Sequence, residues 1–354
     1  MIVKNEEHVI ERCLDSVSGH VDDFVICDTG STDRTPALVK ERTGHYVYAS
    51  NWIDFAHNRN IALEILQCKH AGSDDVYVLF LDADDQLVAG QGALSGLTAD
   101  AYTIKTRLGG IEYDRVALVK LSCCTRWVGP VHEYLEGTWS SAPVLSGVTI
   151  VAGVEGARSR DPDKYLKDAA ILEADYDKTG SLRSLFYAAQ SWRDAGHRDT
   201  AMELYRKRAC ALYRKRACAG GWEEEAWYAQ YQQGLLAFEL KGHVEVLLGA
   251  WLRRPTRIEP LYHLARGYRL EGAYHLAWLV TDHSIPAAPE DKLFVEHEVY
   301  RWRMADERAL AAYWTGRYEA ALALWQGILG KVPDSETQRV LDNINWAQQA
   351  LTSS

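Results

Sequence analysis

Val76-Tyr77-Val78-Leu79-Phe80-Leu81-Asp82-Ala83-Asp84-Asp85 sets an unbroken apolar run ahead of three carboxylates. A run this short reads as a strand buried on both faces, as in the interior of a parallel sheet, rather than as a helix. On extended backbone Asp82 and Asp84 point the same way and repel at close range. A divalent cation compensates such charge. Hard oxygen ligands at the carboxyl end of a parallel strand suit Mg²⁺ or Mn²⁺ bridging to nucleotide phosphates. A solvated acidic turn is the competing reading, because Asp-x-Asp is a common pair.

Upstream, Met1-Ile2-Val3 is a very short first strand, as if residues were missing before it, and the polar residues after it open a helix running to about Val17. Residues 21–27 read as a second strand that ends in Asp28-Thr29-Gly30-Ser31-Thr32-Asp33-Arg34-Thr35-Pro36. Gly30 permits a tight turn, Ser31 to Thr35 offer N-cap oxygens, and Pro36 can start a helix. At a strand end, Asp28 can accept a hydrogen bond from a base or ribose; otherwise it simply closes the turn. Residues 46–48 give a third strand, and Phe55 opens a helix bearing Arg59 near its start, within reach of a pyrophosphate or exposed to solvent. Strand and helix in alternation predict a three-layer α/β sheet with its crevice at the strand ends.

Ile2-Val3-Lys4-Asn5-Glu6-Glu7, Val25-Ile26-Cys27-Asp28-Thr29-Gly30-Ser31-Thr32-Asp33, His57-Asn58-Arg59-Asn60 and Leu81-Asp82-Ala83-Asp84-Asp85 resemble, in order and spacing, the family 2 glycosyltransferases of the GT-A (Rossmann-like) fold. The resemblance covers about residues 1 to 90. It implies that Asp28 contacts the uracil or its equivalent, that Asn5, Glu6 and Arg59 line the nucleotide pocket, and that Asp82-Ala83-Asp84 holds the metal and the donor diphosphate. Trp127-Val128-Gly129-Pro130-Val131-His132-Glu133 is similar to a bacterial subgroup that includes peptide-modifying, glycocin-type enzymes. On that resemblance His132 is a further metal or phosphate contact. Glu133 is the available general base; the Glu-Asp motif that carries the base in many family members has no clear copy here.

Between these motifs, residues 101–107 and 117–121 alternate as two antiparallel strands around Gly109-Gly110. From Asp161-Pro162, an N-cap followed by a first-turn proline, the pattern turns helical. The expected domains are therefore residues 1–155, α/β, and residues 156–354, all-α. In the second, an aromatic, a glycine and a small residue recur as Trp192/Gly196/Ala201, Phe238/Gly242, Tyr268/Gly272/Ala277 and Gly316/Ala321. These resemble degenerate tetratricopeptide repeats, whose stacked hairpins present a concave surface for a peptide or a second subunit, here a possible homodimer. Leu204-Tyr205-Arg206-Lys207-Arg208-Ala209-Cys210-Ala211 is repeated without change as residues 212–219, a tandem duplication. Its length turns a helix by about 80° beyond whole turns, so both copies cannot bury one face.

Composition bounds the rest. At 354 residues the chain predicts about two domains. A net charge of −10 and a pI near 5.7 argue against a nucleic-acid or anionic-membrane partner. Seven cysteines without metal-site spacing suggest reduced thiols and a cytoplasmic setting, and no apolar run is long enough for a membrane span. The expected activity is metal-dependent, inverting transfer of a sugar, from UDP-hexose before other donors, to an acceptor. The short acceptor-side segment of the first domain and the aromatics Trp222, Trp227, Tyr228, Tyr262 and Trp302 point to a peptide or protein acceptor modified on Ser, Thr or Cys. The alternatives are a saccharide- or lipid-directed transferase, a nucleotidylyltransferase, and a repeat scaffold with a relic nucleotide domain.

Overall fold

The computed structural model describes residues 1–109, 111–214, 223–282, 285–291 and 293–353. The chain forms two compact units, Met1–Ala195 and Gly196–Ser354.

The first unit is built on two sheets. Strands β1 (Ile2–Val3), β2 (Cys27–Asp28) and β3 (Tyr48–Ala49) pair in parallel, β2 in the middle. Helices α1 (Ile10–Val17), α2 (Thr35–Thr43) and α3 (Phe55–Lys69) follow the strands in turn, which is the alternation expected of an α/β layer. The second sheet holds β4 (Tyr77–Leu79), β5 (Gln86–Ala89), β6 (Ala101–Leu108), β7 (Ile111–Lys120) and β10 (Val144–Val151), in the order β4-β7-β6-β10-β5. Here the expectation for residues 76–81 needs correction. The strand is shorter than its apolar run, and its ladder partner is β7, antiparallel, rather than two parallel neighbours. Burial explains why the run looked two-sided: Val78 and Leu81 are core, and the residues between them are half-buried against α3 and β7.

The β6–β7 hairpin is antiparallel as expected, but β7 begins at Ile111 rather than Ala117 and ends before Leu121, and the pairing shifts register between Tyr102 and Thr103. Strands β8 (Cys124–Val128) and β9 (Tyr134–Gly137) make a separate two-stranded ribbon that brackets the Gly129–Glu133 loop. The helical pattern begins three residues later than Asp161: α4 (Lys164–Thr179) has Asp163 at its N-cap, while the Asp161 carboxylate accepts the N–H of Asp163. Helix α5 (Leu182–Asp194) packs on α4 within this unit.

The second unit is all helix and irregular connections. Helices α6 (Arg198–Arg214) and α7 (Glu223–Lys241) pack together, then α7 with α8 (Glu245–Arg253), α9 (Glu259–Leu270) with α10 (Tyr274–Val280), α11 (Met304–Trp314) with α12 (Tyr318–Ile328), and α12 with the closing α13 (Asp334–Ser353). The repeated glycines terminate first helices in the left-handed region, Gly242 at φ 67°, Gly272 at 76° and Gly316 at 77°, a conformation that a Cβ disfavours. Each small residue of the repeat, Ala201, Ala277 and Ala321, is fully buried. An α/β sheet unit followed by tetratricopeptide-like hairpins is thus the observed architecture. Trp227, Tyr262 and Trp302, expected along a binding groove, are instead core, and Tyr228 is half-buried against that core. Aromatic area is the largest available filler for helix interfaces, and that use prevails here. Trp222 and most of the second copy of the duplication, residues 215–219, lie outside the described residues. No described helix is long and apolar enough to cross a membrane.

Candidate active site

Helix α3 places the first cation of the site. Asp54 caps it, accepting the His57 N–H at 2.7 Å. Asn58, fully buried, fastens the preceding loop through Ile53, Ser50 and Asn51. Asn60 grips the backbone of Trp127 at both its N–H (2.7 Å) and carbonyl (3.0 Å). Arg59, between these two anchors, is thereby laid over the Trp127 ring, 4.9 Å from its centroid. Its Nη2 donates to Asp82 and its Nε to Glu133, each at 2.5 Å. Arg59, Asp82 and Glu133 thus form one row, from residues far apart in sequence.

Asp82 faces a second guanidinium that the sequence reading missed. Arg115, on β7, stands 3.5 Å from Asp82 and 2.8 Å from the buried Asp85, and its own Nε is buried with no partner among the described residues. Crowding by surrounding protein opposes ionisation of Asp82, but its side chain keeps solvent exposure, and Arg59 and Arg115 hold the carboxyl near 2. Asp85 is pushed the other way, upward, by burial. It closes the turn by accepting the Asp82 N–H at 3.1 Å.

Asp84 meets a different neighbour. The strap at residues 152–160, after β10, passes over it, and the Gly156 N–H donates to Asp84 at 3.0 Å. A Cβ at Gly153 would stand 2.3 Å from the Asp84 carbonyl oxygen, so only glycine fits there. The next amide, Ala157 N–H, donates to both Glu6 oxygens at 3.1 and 3.3 Å. Burial raises the Glu6 pKa, and the charge of Asp84 adds to it. Surplus negative charge on hard oxygens is the chemistry that suits Mg²⁺ or Mn²⁺.

Asn5 and Asp28 converge on one turn. Asn5, left-handed at φ 57°, donates its N–H to Ser31 Oγ at 2.9 Å and accepts the Thr32 N–H at 2.8 Å. Asp28 accepts from the Ser31 N–H and hydroxyl at 3.1 and 2.5 Å. The turn they shape sits at the carboxyl ends of β1 and β2.

His132 lies apart from the acidic residues. It too is left-handed, at φ 53°, and its ring stacks on Tyr187 of α5 at 4.2 Å, while its carbonyl accepts from Arg183 at 3.1 and 3.2 Å. Crowding by surrounding protein and the cations Arg158, Arg183 and Lys164 push its pKa down. Because His132 keeps solvent exposure, the cations are the firmer cause of that direction. Arg158 reaches it from the strap, lying over Phe55 at 4.5 Å and anchored by the buried Asp168. Among the described residues, no three His, Cys, Asp or Glu side chains are grouped to hold a metal ion. The structure therefore gathers Arg59, Asp82 and Glu133, sets Glu6 and Asp84 under the strap, and leaves His132 outside both groups.

Comparison with known proteins accords with this arrangement. Residues 1–91 match the family model of glycosyl transferase family 2. A TPR repeat-containing protein of Synechococcus elongatus is 33% identical over 146 residues, covering 38% of this chain and 34% of that protein. An uncharacterized glycosyltransferase of Rickettsia bellii is 32% identical over 87 residues, 25% of this chain and 27% of the relative. The chain thus spans about a third or less of the length of these relatives. The family match includes Asn5, Glu6, Asp28, Arg59, Asp82 and Asp84; Arg115, Glu133 and the strap lie beyond it. Two signals in the sequence pointed to the missed parts: an arginine in β7 directly before the apolar residues Val116 to Val119, and the Gly153/Gly156 pair.

Proposed function

We propose that the chain is a glycosyltransferase that moves a sugar from a nucleoside diphosphate donor, UDP-hexose first among the candidates, to a nucleophilic acceptor. The observation that carries this reading is the Arg59 row: a guanidinium flanked by two carboxylates, next to Asp84, at the strand ends of a segment matching a glycosyltransferase family. Asn5, Glu6 and Asp28 would shape the nucleotide pocket. Asp84, assisted by Glu6, would hold a divalent cation, which supplies charge neutralisation for the departing diphosphate. Asp82 is better suited to orient the donor through Arg59 and Arg115 than to ligate metal, because both guanidiniums already answer its charge. His132, among cations, fits a phosphate contact better than a metal one.

Glu133 is the base that would take the acceptor proton as the acceptor oxygen or sulfur attacks the anomeric carbon and the nucleoside diphosphate leaves, with inversion. The helical repeats favour a peptide or protein acceptor modified on Ser, Thr or Cys, and the burial of Trp227, Tyr262 and Trp302 moves that recognition to other, exposed residues. The test is hydrolysis of a panel of nucleotide sugars with Mn²⁺ or with EDTA. Release of the nucleoside diphosphate, suppressed by EDTA and by Asp84→Ala, supports the reading; release of pyrophosphate, or no turnover of any donor, removes it.

A further inference from the structure

We infer that Arg59 is a donor-operated latch on Glu133: the bound diphosphate draws the guanidinium away, and only then is Glu133 free to accept a proton. This rests on the glycosyl-transfer reading and adds the order of events to it. The two carboxylates that share Arg59 are not equivalent. Asp82 is 41% exposed and has Arg115 as a second cation at 3.5 Å. Glu133 is 11% exposed, and among the described residues its ion-pair partner is Arg59 alone. A phosphate oxygen arriving at Arg59 adds a third negative group to one cation. Asp82 remains compensated by Arg115, so the repulsion falls on Glu133, the carboxylate with no second partner.

The geometry favours exchange of partners over displacement of the arginine. Trp127 lies against the guanidinium face at 4.9 Å, and its backbone is held by Asn60, which donates to its carbonyl and accepts its N–H. The plane is thereby kept in place while its edge is open to a change of acceptor. Nε and Nη2 are engaged, and Nη1 has no acceptor among the described residues, so a phosphate has a first contact before Glu133 leaves. In this arrangement the base is tied while the donor is absent and freed when transfer can proceed. No covalent bond changes in the exchange; the Nε–H passes from a carboxylate oxygen to a phosphate oxygen.

Calorimetry of UDP with Mn²⁺, repeated with GDP and dTDP, tests this without turnover. Removing the competitor for Arg59 should tighten binding, so Glu133→Gln and Glu133→Ala are expected to bind about three- to tenfold more tightly than the parent. Arg59→Met is expected to bind at least about tenfold more weakly, and adding Glu133→Gln to it should bring no gain. Unchanged or weaker binding in both Glu133 variants overturns the latch, as does a gain that survives without Arg59. Circular dichroism confirms that each variant is folded. If the parent binds none of the three nucleotides, the glycosyl-transfer reading falls as well; a parent that binds and turns over donor but shows no coupling rejects the latch alone.

Discussion

Each unit of this protein contains a guanidinium stacked on a tryptophan and flanked by two carboxylates, and the two clusters differ in what they leave unspent. Arg257, just before α9, lies over Trp227 at 4.1 Å, pairs with Glu259 at 2.9 Å and Asp291 at 3.0 Å, and donates to the carbonyls of Leu293 and Phe294. Arg257 and Glu259 are both 0% exposed. Arg59 has the same kind of partners, but Asp82 stays open to solvent and the neighbouring Arg115 carries an orphan Nε. Similar residue chemistry is therefore closed in one place and open in the other. A closed cluster fixes chain segments, here Asp291, Leu293 and Phe294 against α7 and α9. An open one retains the capacity to bind.

The strongest way to break the comparison is to remove each arginine. Arg257→Met leaves the sealed Glu259 without its ion pair and should cost about 3–5 kcal/mol, read as a large drop in the urea midpoint. Arg59→Met leaves the partly exposed Glu133 without its ion pair and should lower the midpoint less than Arg257→Met does, while losing nucleotide binding. Equal destabilisation by the two would erase the distinction.

Asp84 sharpens the open side. Asp84→Ala removes no ion pair among the described residues, so the fold should persist, while donor turnover falls about 10²-fold and stops responding to Mn²⁺. A turnover rate within threefold of the parent would exclude Asp84 from the chemistry. The strap gives an intermediate effect. Gly153→Ala drives a Cβ toward the Asp84 carbonyl oxygen at 2.3 Å, which should cost about 1–3 kcal/mol and lower turnover together with stability. Gly147→Ala, left-handed at φ 76° in open space, is its control: a backbone cost without an effect on turnover.

What was legible in the sequence followed local chemistry. The β6–β7 hairpin, the start of α3 and the repeat glycines are written in turn residues and periodicity. Strand β10 was not, because Gly147 sits where its pairing with β6 shifts register, and the bulge breaks the alternation that marks a strand. The apolar run before Asp82 announced a buried strand but carried no sign of its neighbour's direction. The site shows the same division. Arg59, Asp82 and Asp84 stand at element ends, where a motif can be recognised, whereas Arg115 and the strap reach Asp82 and Asp84 only through sheet pairing and a long return of the chain. Asp28 and Asn5 were expected to face a nucleotide; the structure shows both hydrogen-bonded to the turn through Ser31 and Thr32.

A third carboxylate cluster supplies the small end of the scale. Asp23 accepts from Lys69 at 2.7 Å, from the Phe24 N–H at 2.8 Å and from His70 at 3.2 Å, so its partners resemble those of the buried clusters, but Lys69 is 37% exposed and His70 27%. Slight burial opposes ionisation, and these donors outweigh it, so the Asp23 pKa is lowered. A carboxyl whose folded pKa lies below its unfolded value of about 3.9 adds stability that is present above that value and disappears as pH falls through the folded one. Solvent screening limits the gain to about 0.5 kcal/mol. Asp23→Asn should therefore lower the urea midpoint slightly at pH 7 and by a smaller amount at pH 3, where the parent is losing the same charge. A loss at pH 7 as large as that of Arg257→Met would mean that exposure does not separate these clusters, and that the count of partners alone sets their worth.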